Sequence, residues 1–278
     1  MEVAQVADAA EFLERAAPLL ADEARHNLIL GIAGTLRDSP ARYAEHELWL
    51  VEYGDAVIGA ALRTPPYNLV LGGGSAGALE TLAREVGSAI PGAVGAVPEI
   101  DGFVAACVRF HGVTPEARVR QGIYALDAVV PPADPAGEPR PATPDDRALL
   151  VRWWSEFGVE ALGEVERDEE QNGRSIDHKL AAHGNGIALW ENRGEPVCAV
   201  GYGSPTPTGV RIGPVYTPPE HRRRGYASAL TAHVSAEQLA AGRSFCFLYA
   251  DLANPTSNKI YIEIGYRRVC DSLQYAFV

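Results

Sequence analysis

Fourteen residues near the middle of the chain, PPADPAGEPRPATP from Pro131 to Pro144, hold six prolines and no large apolar side chain. Each proline fixes φ and removes a backbone donor, so the segment reads as a break between two folding units. The order of signals repeats across it. Before it come a helical region, the strand-like LWLVEY, a turn at Gly54-Asp55, AVIGAAL and, past Thr64-Pro65-Pro66, NLVL. After it come a helical region, IALWEN, a turn at Arg193-Gly194, PVCAVGY and, past Pro205-Thr206-Pro207, VRIGPVY. Each half then gives a glycine-containing bend, a helix, a short apolar strand, a further helix and a closing strand, QGIYAL in the first and LQYAFV in the second. Short alternating strands punctuated by Gly and Pro, mixed with helices, predict two α+β units, each built on a mostly antiparallel mixed sheet. The likeness is one of pattern, as expected for a diverged duplication. The predicted layout is a first domain over 1–130, a Pro-rich linker over 131–142 and a second domain over 143–278. The second opens on a helix start: Thr143 suits a cap, Pro144 the first helical position, and Asp145 and Asp146 the positive end of the dipole. Leu149, Leu150, Trp153, Trp154 and Phe157 then follow at helical spacing.

Composition narrows the function. Of 278 residues, 47% are hydrophobic and 22% charged, which excludes a largely disordered chain. The net charge of −12 leaves no global basic footprint for nucleic acid, so the expected partners are small molecules or proteins. Lys179 and Lys259 are the only lysines. Cys107, Cys198, Cys246 and Cys270 lie far apart and form no CxxC pair, so they are expected as buried free thiols in a reducing cytoplasm, with no metal site. The opening MEVAQVADAAEFLERAAPLLADEARHN interrupts its apolar positions with charge and predicts an amphipathic helix, neither a signal peptide nor a membrane span. A cytoplasmic protein without membrane association is the expectation.

Two stretches of the second half carry chemistry. In VYTPPEHRRRGYASALTAHV, from Val215 to Val234, a strand ends, prolines turn the chain, and Arg222, Arg223, Arg224, Gly225, Tyr226 and Ala227 lead into a helix. Free N–H groups at a helix start form an anion cradle, Gly225 allows close approach and the arginines neutralise charge, which together fit a pyrophosphate. The same RRRG also fits a solvated turn. In DLANPTSNKIYIEIGYRRV, from Asp251 to Val269, Asn254 and Pro255 stop a strand and a helix begins near Thr256 or Ser257. Asn254 at that junction and Tyr261 further into the helix are placed to reach one cleft; a helix cap with a partly buried tyrosine is the plainer reading.

Taken together, these stretches resemble the GNAT acyltransferase superfamily. Its signature R/Q-x-x-G-x-G/A is met by Arg222, Gly225 and Ala227, and its N-x-x-A/S-x-x-x-Y-x-x-x-G-F/Y by Asn254, Ser257, Tyr261, Gly265 and Tyr266. From about Arg140 to Val278 the wording VYTPPEHR, GYASAL and LANPTSNKIY resembles an actinobacterial-type GNAT subfamily. The resemblance implies acetyl-CoA or another acyl-CoA as donor and direct transfer to an amine on a small molecule or protein. It implies that the amides from Arg223 to Ser228 grip the pyrophosphate, and that Val215, Tyr216 and Thr217 pair with the pantetheine. It further implies that Tyr261 protonates the departing thiolate and that Asn254 bonds the pantetheine arm, with Ser257 and Asn258 beside it. The alternative is an acyl-CoA-binding sensor or scaffold without turnover.

One family element is missing: VRIGPVY carries no acid where several relatives have a general-base glutamate. Glu156, Glu160 and Glu164 in the preceding helical region are candidates for a base acting through water or for an anionic surface, and equally for a solvated helix face. In the first half, YNLVLGGGSAGALETL satisfies GxGxxG at Gly72, Gly74 and Gly77, and GxSxG at Gly73, Ser75 and Gly77. Both matches come from one bend that follows a hairpin pattern, so neither a dinucleotide site nor a hydrolase elbow is expected. The bend occupies the register of the arginine loop without an arginine, and Ala105 to Cys107 stand where a tyrosine matching Tyr261 is expected; the first domain is read as a degenerate copy. His46-Glu47 is followed by Leu50 where a zinc protease needs its second histidine, and His178 and His183 have no adjacent cysteine; these are read as structural or surface histidines.

Overall fold

A computed structural model describes residues 1–162, 169–181 and 184–278. Glu164 and His183 lie outside the described residues. The chain runs β1 (Glu2–Val6), α1 (Ala9–Ala16), α2 (Asn27–Asp38), β2 (Glu47–Tyr53), β3 (Ala56–Arg63), β4 (Leu69–Gly74), α3 (Ala76–Val86), β5 (Gly92–Ala96), α4 (Glu99–His111) and β6 (Pro115–Leu126). It then repeats the same order: β7 (Glu138–Pro141), α5 (Arg147–Leu162), α6 (Glu169–Ala181), β8 (Gly186–Asn192), β9 (Glu195–Gly203), β10 (Gly209–Tyr216), α7 (Tyr226–Ala240), β11 (Phe245–Asp251), α8 (Pro255–Glu263) and β12 (Arg267–Phe277). The repeated pattern of signals thus becomes a repeated order of elements.

Local chemistry explains most of these elements. Asp8 caps α1, its Oδ1 accepting the Glu11 N–H at 2.8 Å. At the β8–β9 turn both Arg193 and Gly194 have positive φ, 55° and 80°, the backbone of a tight hairpin whose twist matches its strands. Gly112, in the left-handed region at φ 68°, closes α4. The Pro-rich segment differs from a plain linker. It contains β7, which pairs antiparallel with β8 from Glu138↔Glu191 to Pro141↔Ala188. Prolines are tolerated because β7 is an edge strand, whose outer N–H groups need no partner. Arg140 anchors it, bonding both oxygens of Asp146 at 2.8 and 2.9 Å and Glu191 at 2.7 Å.

Two compact units result: Met1–Ile123 with Val269–Val278, and Tyr124–Arg268. The first unit is discontinuous, taking in the closing segment Val269–Val278, while the end of β6 falls in the second. In the first unit the strand order is β1-β2-β3-β4-β5-β12. All neighbours there are antiparallel except β4 and β5, and β12 lies beside β5 from Ser272↔Ala96 to Ala276↔Gly92. One apolar layer lies under α3 and α4 and includes Leu82, Ile100, Phe103 and Leu273; another lies under α1 and α2 and includes Phe12, Leu20, Ile29 and Leu48. Gly72 belongs to this packing: a Cβ there would come within 2.7 Å of Ile29 and 3.0 Å of Leu20.

In the second unit the strand order is β11-β10-β9-β8-β7, antiparallel except for β10 and β11. Tyr124 and Leu126, from the end of β6, join the core that α7 and α8 cover, with Leu230, Val234, Leu248 and Tyr266. On the other face α5 and α6 bury Leu150, Trp153, Trp154 and Ile176 against Ile187, Leu189, Ala199 and Tyr216. The mixed α/β architecture predicted from the sequence is therefore the one formed.

Candidate functional site

The site grows from an irregularity in β10. The register with β9 shifts between Ile212 and Val215, where Gly213 has φ 134° and the Gly213-Pro214 bond is cis. Pro214 offers no N–H, and the parallel register with β11 runs only from Gly209↔Phe245 to Arg211↔Phe247. The end of β10 stays paired with β9, Val215 opposite Val200 and Tyr216 opposite Ala199, while its edge toward β11 has no strand partner in that register. Unpaired main chain at a strand end can bond an extended, amide-bearing ligand.

Beyond Thr217 the chain crosses the arginine loop and enters α7. Gly225 is the cap residue, left-handed at φ 85°, and no side chain caps the helix. The first N–H groups of α7, those of Tyr226, Ala227 and Ser228, precede the i→i−4 ladder; its first bond at this end is from Ala229 N–H to the Gly225 carbonyl. Arg222, Arg223 and Arg224 are exposed beside them. Arg223 has φ 62°, and Arg224 donates to the Glu220 carbonyl at 3.1 Å. Uncapped donors, a glycine and nearby guanidinium groups are the chemistry that suits an anion. Tyr226 contributes only its backbone: its side chain is 4% exposed, packs near Trp190 and accepts a hydrogen bond from Asn192.

Tyr261 projects from α8 into the core against Tyr266, their ring centroids 6.1 Å apart and edge-on. It is 9% exposed. Burial, and then the nearby Cys198, push its hydroxyl well above the ordinary phenol range, so it is protonated throughout the neutral range. Cys198 on β9 is fully buried, its thiol pushed up to about 12 by burial. The Thr217 hydroxyl bonds the Cys198 sulfur at 3.2 Å. Thr217 and Cys198 thereby meet beside the end of β10, and Tyr261 shares the buried core of Cys198.

Asn254, Ser257 and Asn258 hold the start of α8. The Asn254 side chain caps it, accepting the Ser257 N–H at 3.1 Å. The Asn258 amide donates to the Asp251 and Asn254 carbonyls at 2.9 and 2.8 Å, and its oxygen accepts from the Tyr124 hydroxyl at 2.9 Å. Asn258 thus has its side chain committed to the fold.

Opposite this cluster the Tyr216 hydroxyl lies 3.0 Å from Glu156 and 3.3 Å from Glu160, both on α5. Burial and the two carboxylates raise its pKa well above the phenol range. Glu160 is also paired with Arg222, whose Nε donates to the Thr217 carbonyl at 2.9 Å. The acidic helix face therefore touches both the strand end and the arginine loop, a meeting that no local pattern in either segment announces.

The first unit lacks this arrangement. Between β10 and α7 lie residues 217–225, but between β4 and α3 lies only Ser75. Its hydroxyl accepts the Ala78 N–H at 3.3 Å and occupies a donor that α7 leaves open. A Cβ on Gly77 would come within 2.8 Å of Met1, so the amino-terminal side chain covers this helix start.

Residues 203–276 match the family model described as FR47-like protein. Across the chain, the structure is similar to an acetyltransferase from the GNAT family from Colwellia psychrerythraea, with a TM-score of 0.62 and 10% identity over 100% of both chains. It is similar to a GCN5-related N-acetyltransferase from Kribbella flavida, with a TM-score of 0.58 and 18% identity over 90% of this chain and 95% of that one. A tandem GNAT protein from the clavulanic acid biosynthesis pathway gives a TM-score of 0.57 and 18% identity over 100% and 98%. No curated protein matches the sequence. At such identities the likeness is one of fold.

Proposed function

We propose that this chain, which has the GNAT acyl-CoA N-acyltransferase fold, is an acetyl-CoA-dependent N-acetyltransferase whose chemistry resides in its second unit. The observation that supports this reading is an uncapped, arginine-flanked helix start following β10, with the buried Tyr261 in the same core as Val215 and Cys198. By descent the chain is two GNAT-like domains in tandem, 1–130 and 143–278, joined through 131–142, and the first is a degenerate copy. The free thiols suit the reducing cytoplasm.

Acetyl-CoA supplies the activated acyl group as a thioester. The α7 N–H groups and the arginines bind its pyrophosphate, and the open edge of Val215, Tyr216 and Thr217 orients the pantetheine. The Asn254 amide nitrogen, not used in the cap, is available to the same arm. An amine attacks the carbonyl directly, and its proton leaves through water to Glu156 of α5, whose carboxylate lies 3.0 Å from the Tyr216 hydroxyl. Tyr261 stabilises the departing thiolate by donating its hydroxyl proton. Calorimetry should give one acetyl-CoA per chain, and an amine panel assayed for free CoA should identify the acceptor. No binding, or two equivalent sites, overturns the reading.

A second reading is a sensor that binds acyl-CoA without turnover, favoured by the lack of any acid on β10. A full amine panel without CoA release from a protein that binds acetyl-CoA would establish it.

A further inference from the structure

Resting on the acyl-CoA reading above, we propose that Glu160 is an internal competitor for Arg222, so that cofactor binding and the acidic face of α5 are coupled through this one arginine. Arg222 stands first in the loop that cradles the pyrophosphate, yet its Nη2 is paired with Glu160 while its Nε bonds the Thr217 carbonyl. Glu160 in turn lies 3.3 Å from the Tyr216 hydroxyl. A guanidinium engaged with that carboxylate is not available in full to a phosphate, and the two anions compete for its Nη2.

The exchange requires little disruption. The Arg222 and Glu160 side chains are 43% and 42% exposed, so their bridge is screened by water and weak. The Thr217 carbonyl holds Nε at 2.9 Å, so the distal nitrogens can turn from the carboxylate to a phosphate about a fixed pivot. A pyrophosphate seated on the α7 N–H groups offers several anionic oxygens against the single carboxylate of Glu160 and wins Arg222 by number and charge. Once Arg222 has turned, Glu160 is left with Tyr216, which shares its one phenolic proton with Glu156 at 3.0 Å. The acidic pair then regains the negative charge that Arg222 had neutralised, on the side of β10 away from α7. Acyl-CoA binding therefore prepares this face for a cationic acceptor.

Calorimetry with acetyl-CoA on the full chain tests the coupling. Glu160→Gln is expected to tighten binding by up to about fivefold, the worth of an exposed ion pair. A gain of affinity cannot arise from a damaged fold. Glu170→Gln removes one acidic charge of the same unit that is paired with Arg174 instead, and is expected to change affinity less than ~2-fold. In an Arg222→Ala background, Glu160→Gln is expected to have no effect, which isolates the pairwise coupling. If wild type binds no acetyl-CoA, the functional reading falls and this proposal with it. If wild type binds but Glu160→Gln is no tighter, or its gain persists without Arg222, the coupling alone is overturned.

Discussion

Tyr261 is a side chain whose surroundings fix its chemical state. Its ring sits against Tyr266, and burial keeps its proton on. Tyr261→Phe leaves the ring packing in place and removes only the donor. Its expected result is a fall in kcat of about 10²-fold with acetyl-CoA affinity unchanged, measured as CoA release and by calorimetry. Full kcat with chemistry rate-limiting would remove Tyr261 from the reaction. Gly225 is a second such residue, since its φ of 85° is reached freely only by glycine. The nearest atom to a Cβ there is 3.9 Å away on Pro135, so the Cβ of Gly225→Val meets no crowding. Relaxing out of the left-handed region in the free chain and regaining it around the phosphate costs ~1–2 kcal/mol, so acetyl-CoA affinity is expected to fall about tenfold. Unchanged affinity would show that the ligand does not approach this helix start.

At the scale of elements, the corresponding strand–helix junctions of the two units have opposite forms. Ser75 closes α3 at once, whereas nine residues, 217–225, carry the arginines to an open α7. Replacing Arg222, Arg223 and Arg224 together by alanine is expected to weaken acetyl-CoA binding by at least 10²-fold, because charge-assisted bonds to phosphate are each worth about 1.5–3 kcal/mol. Calorimetry on the triple variant checks this, and unaltered affinity would exclude the loop from the site. The edge strand β7 depends on one arginine in a comparable way. Arg140 holds the Asp146 carboxyl down at about 2, below its ordinary 3.8. A depressed folded-state value stabilises above the unfolded value and is lost as pH falls through the folded one. The contribution, about 2 kcal/mol, should therefore be intact above pH ~5 and disappear toward pH ~2. Asp146→Asn should lower the melting temperature at neutral pH and narrow its gap from wild type in acid; a gap independent of pH would refute this assignment.

At the scale of the whole molecule, the traded closing segments decide what can fold alone. Val269–Val278 belongs to the first unit, where Leu273 enters the core and β12 pairs with β5. A fragment of residues 1–130 lacks that strand and exposes the edge of β5 together with apolar surface. A fragment from Arg140 lacks Tyr124 and Leu126, two members of the second unit's core, and carries β12 without its β5 partner. Both fragments are expected to aggregate or to lose cooperative melting, as judged by size-exclusion chromatography and circular dichroism. A monodisperse, cooperatively folded fragment from Arg140 would show that the exchanged strands are dispensable.

The sequence by itself determined the features that short-range chemistry controls. Turn residues such as Arg193-Gly194, the caps at Asp8 and Asn254, and the alternation within each strand specify elements over a few bonds, so the repeated element order was legible. So were the arginine loop and Tyr261, because each lies within one contiguous motif. Three things were settled only by the tertiary structure. β7 forms despite Pro139 and Pro141 because it lies at a sheet edge, a position in space that composition does not encode. Cys198 meets Thr217 and shares a core with Tyr261 because β9, β10 and α8 pack together, and the pairing of Arg222 with Glu160 joins groups 62 residues apart. The exchange of β12 and the end of β6 depends on which sheet edge each closing strand finds. Backbone hydrogen bonds are the same for either partner, so local sequence leaves that choice to the packing of the whole chain.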